Sequence, residues 1–198
     1  MSKISVVLSG VGGQGVITAA NILGKAAVNA KTKVYASEVH GMAQRGGSVF
    51  CTVRMGEVSS PLVASGTADV MVSLEPVEAL RYIRFANKKT KLVTDITPVV
   101  PFTVSVGNDT YPALTDIFKE LDTKADLYKI NALDISKKAG ATITKNIVML
   151  GALAATEILP FDTDVLLKTI LANVPEKFKT INNNAFKGGI EAINAIKK

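Results

Sequence analysis

The chain opens on a short apolar run, Ile4-Ser5-Val6-Val7-Leu8-Ser9, rich in β-branched residues, which predicts a buried strand. Glycines follow at once in Gly10-Val11-Gly12-Gly13-Gln14-Gly15. From Val16 to about Ala30 the pattern becomes helical. Its polar residues, Thr18, Asn21, Lys25 and Asn29, fall three or four apart and so share one narrow stripe. Almost everything else on this helix is apolar, so it should be covered on most sides. Lys33 to Ser37 predicts a second strand. Strand, glycine turn, helix and strand together make the opening of a parallel α/β sheet.

Beyond a polar, glycine-studded connection over Glu38 to Ser48, strands are predicted over 49–54, 58–63, 68–74, 91–96 and 126–130, with Met55-Gly56-Glu57 as a turn. Pro76 suits the first turn of a helix. Pro98 and Pro101 break the chain, and 102–106 with Gly107-Asn108-Asp109 predicts an extended arm and turn. Helices are expected over 113–124 and 132–139, the latter ending at Gly140. From Thr144 onward the pattern is helical only: one apolar helix to about Leu159, stopped by Pro160, then two or three shorter ones. The apolar and small middle of that helix, Ile147 to Ala155, fits either a central core helix or a face packed on another subunit. The expected fold class is α/β: a three-layer Rossmann-like domain with a mostly parallel sheet, a β-hairpin or extended arm and a helical C-terminal part. No repeat or low-complexity linker divides residues 1–198, so one domain is expected.

Composition narrows the chemistry. The 198 residues are 47% apolar and 20% charged, which excludes a disordered tail. The chain has one cysteine, Cys51, and one histidine, His40. These numbers exclude an internal disulfide, a zinc site built from cysteine and histidine, and a four-cysteine iron–sulfur cluster. Cys51, among apolar neighbours in a predicted strand, reads as a small buried hydrophobe. The longest apolar run falls well short of the ~20 residues of a membrane-spanning helix, and no signal peptide is evident. A cytoplasmic protein is expected. The net charge is +6, and residues 1–50 carry Lys3, Lys25, Lys31, Lys33 and Arg45 against Glu38 alone. That asymmetry suits an anionic ligand or an acidic partner, or is simply a lysine-rich surface. With no dense basic stripe and no tryptophan, nucleic acid is not an expected partner.

Two glycine segments carry the candidate chemistry. Gly10, Gly12, Gly13, Gln14 and Gly15 lie between a strand and a helix, where bare backbone N–H groups and a helix N-terminus can receive an anion. Val16 and Ile17 exclude a Walker loop, which needs lysine and serine or threonine there. A nicotinamide or flavin dinucleotide site needs an acid near the end of the second strand, and Glu38 stands there. The glycines could equally serve only to pack helix against strand. The second segment is Ser37-Glu38-Val39-His40-Gly41-Met42-Ala43-Gln44-Arg45-Gly46-Gly47-Ser48. Ligands of α/β sheets sit at the C-terminal ends of strands, so both segments should converge on one edge. Arg45, beside the bare backbone of Gly46 and Gly47, is suited to grip a carboxylate or phosphate, or it pairs with Glu38. His40 has no evident triad partner, Gln44 orients a ligand or braces the loop, and Ser48 reads as the first residue of a strand.

On these two segments the sequence resembles the gamma-type subunit or domain of the 2-oxoacid:ferredoxin oxidoreductases, and within them the small, beta subunits of the indolepyruvate type. The resemblance continues through Ser60-Pro61-Leu62, Ala68-Asp69-Val70, Glu75-Pro76 with Glu78-Ala79-Leu80, Asn146 to Ala152, Val174-Pro175, Lys177-Phe178 and Asn182 to Gly188. It therefore runs along essentially the whole chain. It implies oxidative decarboxylation of an aryl 2-oxoacid, indolepyruvate foremost, with coenzyme A, giving acyl-CoA, CO2 and reduced ferredoxin. It also implies that thiamine diphosphate and the iron–sulfur clusters belong to a large alpha subunit, that this chain alone binds no cofactor, and that it is inactive alone. Glu38, His40, Gln44 and Arg45 would then support the site. Gly10, Gly12, Gly13, Gln14, Gly15, Gly46, Gly47 and Ser48 would face the ligand. A gamma subunit for pyruvate or another 2-oxoacid, a stand-alone NAD- or FAD-binding oxidoreductase, and a non-catalytic interaction module remain the competing readings.

Overall fold

A computed structural model describes residues 3–41, 46–107 and 109–197, with the backbone alone at His40, Phe102 and Thr103. In chain order the elements are β1 (Ile4–Val11), α1 (Val16–Asn29), β2 (Val34–His40), β3 (Ser48–Met55), β4 (Val70–Ser73), α2 (Pro76–Arg81), β5 (Lys91–Asp95), α3 (Phe102–Ser105), α4 (Leu114–Lys124), β6 (Asp126–Ile130), α5 (Ala132–Ala139), α6 (Lys145–Ala154), α7 (Thr163–Ala172) and α8 (Lys179–Ile196). Short 3-10 turns lie at Ile83–Phe85, Thr142–Thr144 and Glu176–Phe178. No helix among the described residues is long and apolar enough to cross a membrane.

The strands form one six-stranded sheet in the order β2-β3-β1-β4-β5-β6. β1, β4, β5 and β6 are parallel. β3 runs antiparallel to both β1 and β2, so β2 points the same way as β1 but is separated from it by β3. The expected three layers are present. Val6 and Leu8 of β1 face α1, α6 and α8, while Val7, Met71 and Leu92 face α2 and α4. Burying each such aliphatic side chain contributes roughly 1.5–3 kcal/mol.

The apolar helix is a core element. Every residue from Asn146 to Ala154 is buried, and α6 lies on β4 and β5 with α8 packed against it. Glycine allows that approach: a Cβ on Gly151 would stand 2.0 Å from the Phe186 carbonyl oxygen, and one on Gly189 2.0 Å from that of Val148.

Several expectations are corrected. β2 continues through Glu38 and Val39 to His40, because an edge strand can pair with Val49–Thr52 while leaving polar side chains exposed. Residues 58–63 form no strand. Their carbonyls are taken by side chains: Thr52 Oγ1 donates to the Pro61 carbonyl (2.8 Å), and Arg54 Nη1 to those of Ser60 (3.0 Å) and Leu62 (2.9 Å). The expected extended arm after Pro101 is the short helix α3, begun by Val104 and Ser105 N–H groups donating to the Pro101 carbonyl (3.1 and 3.2 Å). α6 ends at Ala154, well before Pro160. There the Thr156 hydroxyl takes the Leu153 carbonyl (2.7 Å) and Glu157 turns to φ 60°. The C-terminal helix α8, at 18 residues, is the longest among those described, where shorter ones were expected.

Candidate functional site

The parallel strands point their C-terminal ends to one edge, and β3 starts at that edge. Val11, the last residue of β1, pairs with Ser48, the first of β3, so the two glycine segments meet. The Gly12 N–H donates to the Gly47 carbonyl (2.7 Å), and the Gly46 N–H donates to the Gly12 carbonyl (3.2 Å). Gly13, Gly15 and Gly46 have φ of 101°, 82° and 77°, a conformation that glycine adopts without a side-chain clash. Met42, Ala43, Gln44 and Arg45 lie outside the described residues, as does the His40 side chain.

The glycines divide by task. A Cβ on Gly10 would meet Gln14 Oε1 at 2.7 Å, Val16 Cγ2 at 2.9 Å and Leu74 Cβ at 3.1 Å, so Gly10 is a packing position. Gly15 is another, because a Cβ there would stand 2.7 Å from Asn146 Nδ2. Gly13 has nothing within 4 Å of its Cβ position, and it is exposed. Its amide and that of Gly15 take no partner among the described residues, and α1 starts above them with no side-chain cap and no acid in its first turn. The Gly12 and Gln14 amides are committed within the fold, the latter to the Val11 carbonyl (3.0 Å). Among the described residues, the Gly13 and Gly15 amides and the start of α1 are therefore the groups of this turn still available to an anion.

Gln14 acts inward. Its Oε1 accepts from the Val11 N–H (2.8 Å), and its Nε2 donates to the Leu74 carbonyl (3.1 Å) just past β4. α1 leaves β1 toward one face of the sheet and α2 leaves β4 toward the other. The gap between those two strand ends is where doubly wound folds take a ligand. Here the Gln14 side chain spans it.

Sequence reasoning missed a second cluster beside the glycine turn. Asp95, ending β5, is fully buried (0% exposed) and holds Lys145 Nζ on its Oδ2 at 2.8 Å. Its Oδ1 accepts from the Ala132 N–H (3.0 Å). Lys145 also donates to the Leu74 carbonyl (2.9 Å), the same oxygen that Gln14 uses. The next residue, Asn146, donates to the Gly15 carbonyl (3.4 Å). The available signals were a carboxylate closing an apolar strand and a lysine opening an apolar helix. A salt bridge this buried is held by its geometry and extra hydrogen bonds.

Ser48 begins β3, as expected. Its hydroxyl donates to Glu78 Oε2 and lies 2.8 Å from the Tyr82 hydroxyl. Glu78 also binds Arg81 (3.1 Å). Glu75 caps α2 through the Glu78 N–H (2.9 Å) and accepts from the Val99 N–H (3.2 Å) and the Tyr111 hydroxyl (2.5 Å). Burial, and then the Glu75 carboxylate, push the Tyr111 hydroxyl well above the usual tyrosine range. Glu38 pairs in register with Cys51, one strand further from β1 than the ribose-binding acid of a dinucleotide fold stands. Cys51 is buried, and burial first and the Glu38 charge second push its thiol up to about 12. Among the described residues, no three His, Cys, Asp or Glu side chains gather as metal ligands.

The family described as pyruvate ferredoxin/flavodoxin oxidoreductase matches residues 5–192. Over 195 residues the chain is 43% identical to indolepyruvate oxidoreductase subunit IorB of Thermococcus kodakarensis, covering 97% of this chain and 96% of that one. The protein of the same name from Archaeoglobus fulgidus is 39% identical over 188 residues, 94% of each chain. The gamma subunit of a keto/oxoacid ferredoxin oxidoreductase from Geobacter sulfurreducens superposes with a TM-score of 0.71 at 25% identity, over 97% of this chain and 99% of that one. The fold also recurs within a 2-oxoglutarate:ferredoxin oxidoreductase of Magnetococcus marinus (TM-score 0.73, 20% identity), where it covers 98% of this chain and 32% of that one.

Proposed function

The chain belongs to the pyruvate ferredoxin/flavodoxin oxidoreductase family, and from that premise we propose that it serves a CoA-dependent enzyme for aryl pyruvates, indolepyruvate foremost. It is the small subunit of a 2-oxoacid:ferredoxin oxidoreductase. The reaction converts the 2-oxoacid and CoA to acyl-CoA and CO2, with the electrons passing to ferredoxin. The single observation that carries the aryl-pyruvate reading is the 43% identity to an indolepyruvate oxidoreductase subunit across nearly the full length of both chains.

In this reading a large partner subunit holds thiamine diphosphate and the iron–sulfur clusters. Bound there, thiamine diphosphate supplies the electron sink for loss of CO2. This chain's residues form a wall facing that cofactor. The Gly13 and Gly15 amides and the start of α1 offer positive potential to a carboxylate or phosphate. Arg45, carried beside Gly46, supplies a guanidinium for the same anion. Glu38, His40 and Gln44 shape the neighbouring surface, and Gly46, Gly47 and Ser48 bring the backbone close. The backbone bonds between Gly12 and Gly46–Gly47 keep this wall rigid, and a pre-set wall strengthens electrostatics by excluding water.

Co-expression of this chain with the large subunit of the same organism tests the reading. The expected result is ferredoxin reduction that requires both indolepyruvate and CoA, and that neither chain supports alone. Arg45→Ala is expected to leave assembly intact and to lower turnover sharply. Wild-type kinetics from an assembled Arg45→Ala complex would overturn the role given to Arg45. A stand-alone dinucleotide-binding enzyme is the weaker reading, because β3 separates Glu38 from β1 and Gln14 spans the crevice. Tight binding of NAD(P) or flavin by the isolated chain would reverse that order.

A further inference from the structure

The polar stripe of α1 has no task in the site described above, although the helix is buried on its other sides. Two cavities flank it. One, of about 430 Å³, lies between the stripe and the 173–182 segment, with Ile143, Val174, Phe178 and Ile181 among its apolar walls. The other, of about 370 Å³, lies on the opposite side of the stripe against Val28, Val34 and Ala36. Asn21 and Lys25 line both, so the two form one continuous surface along the helix.

That surface is unfinished. Ile143, on the 3-10 turn before α6, is 85% exposed, more than any other large apolar side chain described. Val28 is 63% and Phe178 44% exposed. A pocket for a small molecule encloses its apolar walls. Here the walls project outward, and they extend over two cavities, as a macromolecular partner would require. Among the described residues, Lys25 is the one charged side chain that lines the two cavities. Neither cavity is lined by an acid, Lys25 Nζ rests on the neutral Asn173 Oδ1 (2.5 Å), and Lys177 sits over the Phe178 ring at 5.0 Å. The nearby Glu176 is already paired with Lys179 (2.6 Å).

We propose that this α1 face, from Ile143 and Phe178 across Lys25 to Val28, is the docking surface for the large subunit, which presents there an apolar segment carrying carboxylates. The inference rests on the small-subunit reading and adds to it the place and chemistry of contact. Asn146 explains why docking here matters to the site: it lines the larger cavity and donates to the Gly15 carbonyl (3.4 Å). A partner seated on this face therefore bears on the glycine turn from behind and fixes where its amides point.

The test measures the affinity of the purified, cofactor-loaded large subunit for this chain. Ile143→Asp places a charge on the apolar rim, and Lys25→Glu reverses the shared cation. Each is expected to weaken association by about tenfold or more, as loss of an interface anchor does. Leu62→Asp, at a 71%-exposed residue beside the outer face of β3, is the control and is expected to bind like wild type. Circular dichroism checks the fold of each variant. Lys25→Glu carries the test if Ile143→Asp fails to fold. Wild-type affinity in Ile143→Asp and Lys25→Glu, while wild type itself assembles, overturns this surface and leaves the small-subunit reading standing. A wild-type chain that binds no large subunit overturns both. A self-dimer that Ile143→Asp dissociates while hetero-assembly survives gives the surface to a second copy and overturns the proposal.

Discussion

Gly12 and Gly47 are joined by a main-chain hydrogen bond of 2.7 Å, and the Gly46 N–H returns to the Gly12 carbonyl at 3.2 Å. Two segments far apart in the chain thus behave as one rigid ledge at the edge of the sheet.

Gly13 and Gly15 should respond differently to alanine. At Gly13 the penalty comes from the left-handed φ alone, about 1–2 kcal/mol, since nothing stands in the way of a Cβ. Gly15→Ala adds the 2.7 Å contact with Asn146 Nδ2 and should be the more destabilising in urea titration. Replacing Asn146 with alanine as well should recover part of that added loss. A strictly additive double-mutant cycle would contradict the contact.

Lys145→Met leaves the fully buried Asp95 carboxylate without its cation, and is expected to cost about 3–5 kcal/mol. Combining it with Asp95→Asn should restore part of the loss, because the uncompensated buried charge is then gone while the side-chain oxygen can still accept from the Ala132 N–H. Chemical denaturation of the two variants makes the comparison.

Gly151→Ala drives a methyl into the Phe186 carbonyl and should cost about 3 kcal/mol by overpacking, read as a fall in denaturation midpoint. A neutral outcome would mean that α6 and α8 are not this close.

The Cys51 thiol, pushed up to about 12 by burial and by Glu38, should not react with a maleimide at pH 8 in the folded chain and should react once the chain is unfolded. Prompt labelling of native protein would contradict the buried placement.

Tyr111 links stability to alkaline pH. Its hydroxyl binds its proton more tightly when folded than when unfolded, so its contribution is complete below the ordinary tyrosine value of about 10 and is lost as the pH rises above it. Thermal midpoints should fall above that pH in wild type and fall less steeply in Tyr111→Phe.

Much of this structure was legible in the residues themselves. The β-branched run at Ile4–Leu8, the glycines and the stripe of Thr18, Asn21, Lys25 and Asn29 marked β1, the turn and α1 because each depends on local periodicity. The meeting of Gly12 with Gly46–Gly47 followed from the rule that such turns gather at strand ends. The insertion of β3 between β1 and β2 did not, because strand order is set by long-range pairing that no local pattern encodes. Asp95 and Lys145 were missed for the same reason: their significance arises only when β5 and α6 are brought side by side. Residues 58–63 looked like a strand by composition, yet Arg54 and Thr52 take the carbonyls that a neighbouring strand would have used.

The amide of Gln14, stretched from the end of β1 to the Leu74 carbonyl, has a wider consequence. Sheets wound in this way usually keep a mouth at that point and swallow a nucleotide in it. Here a side chain is laced across that mouth, and the crevice is occupied by the chain's own glutamine.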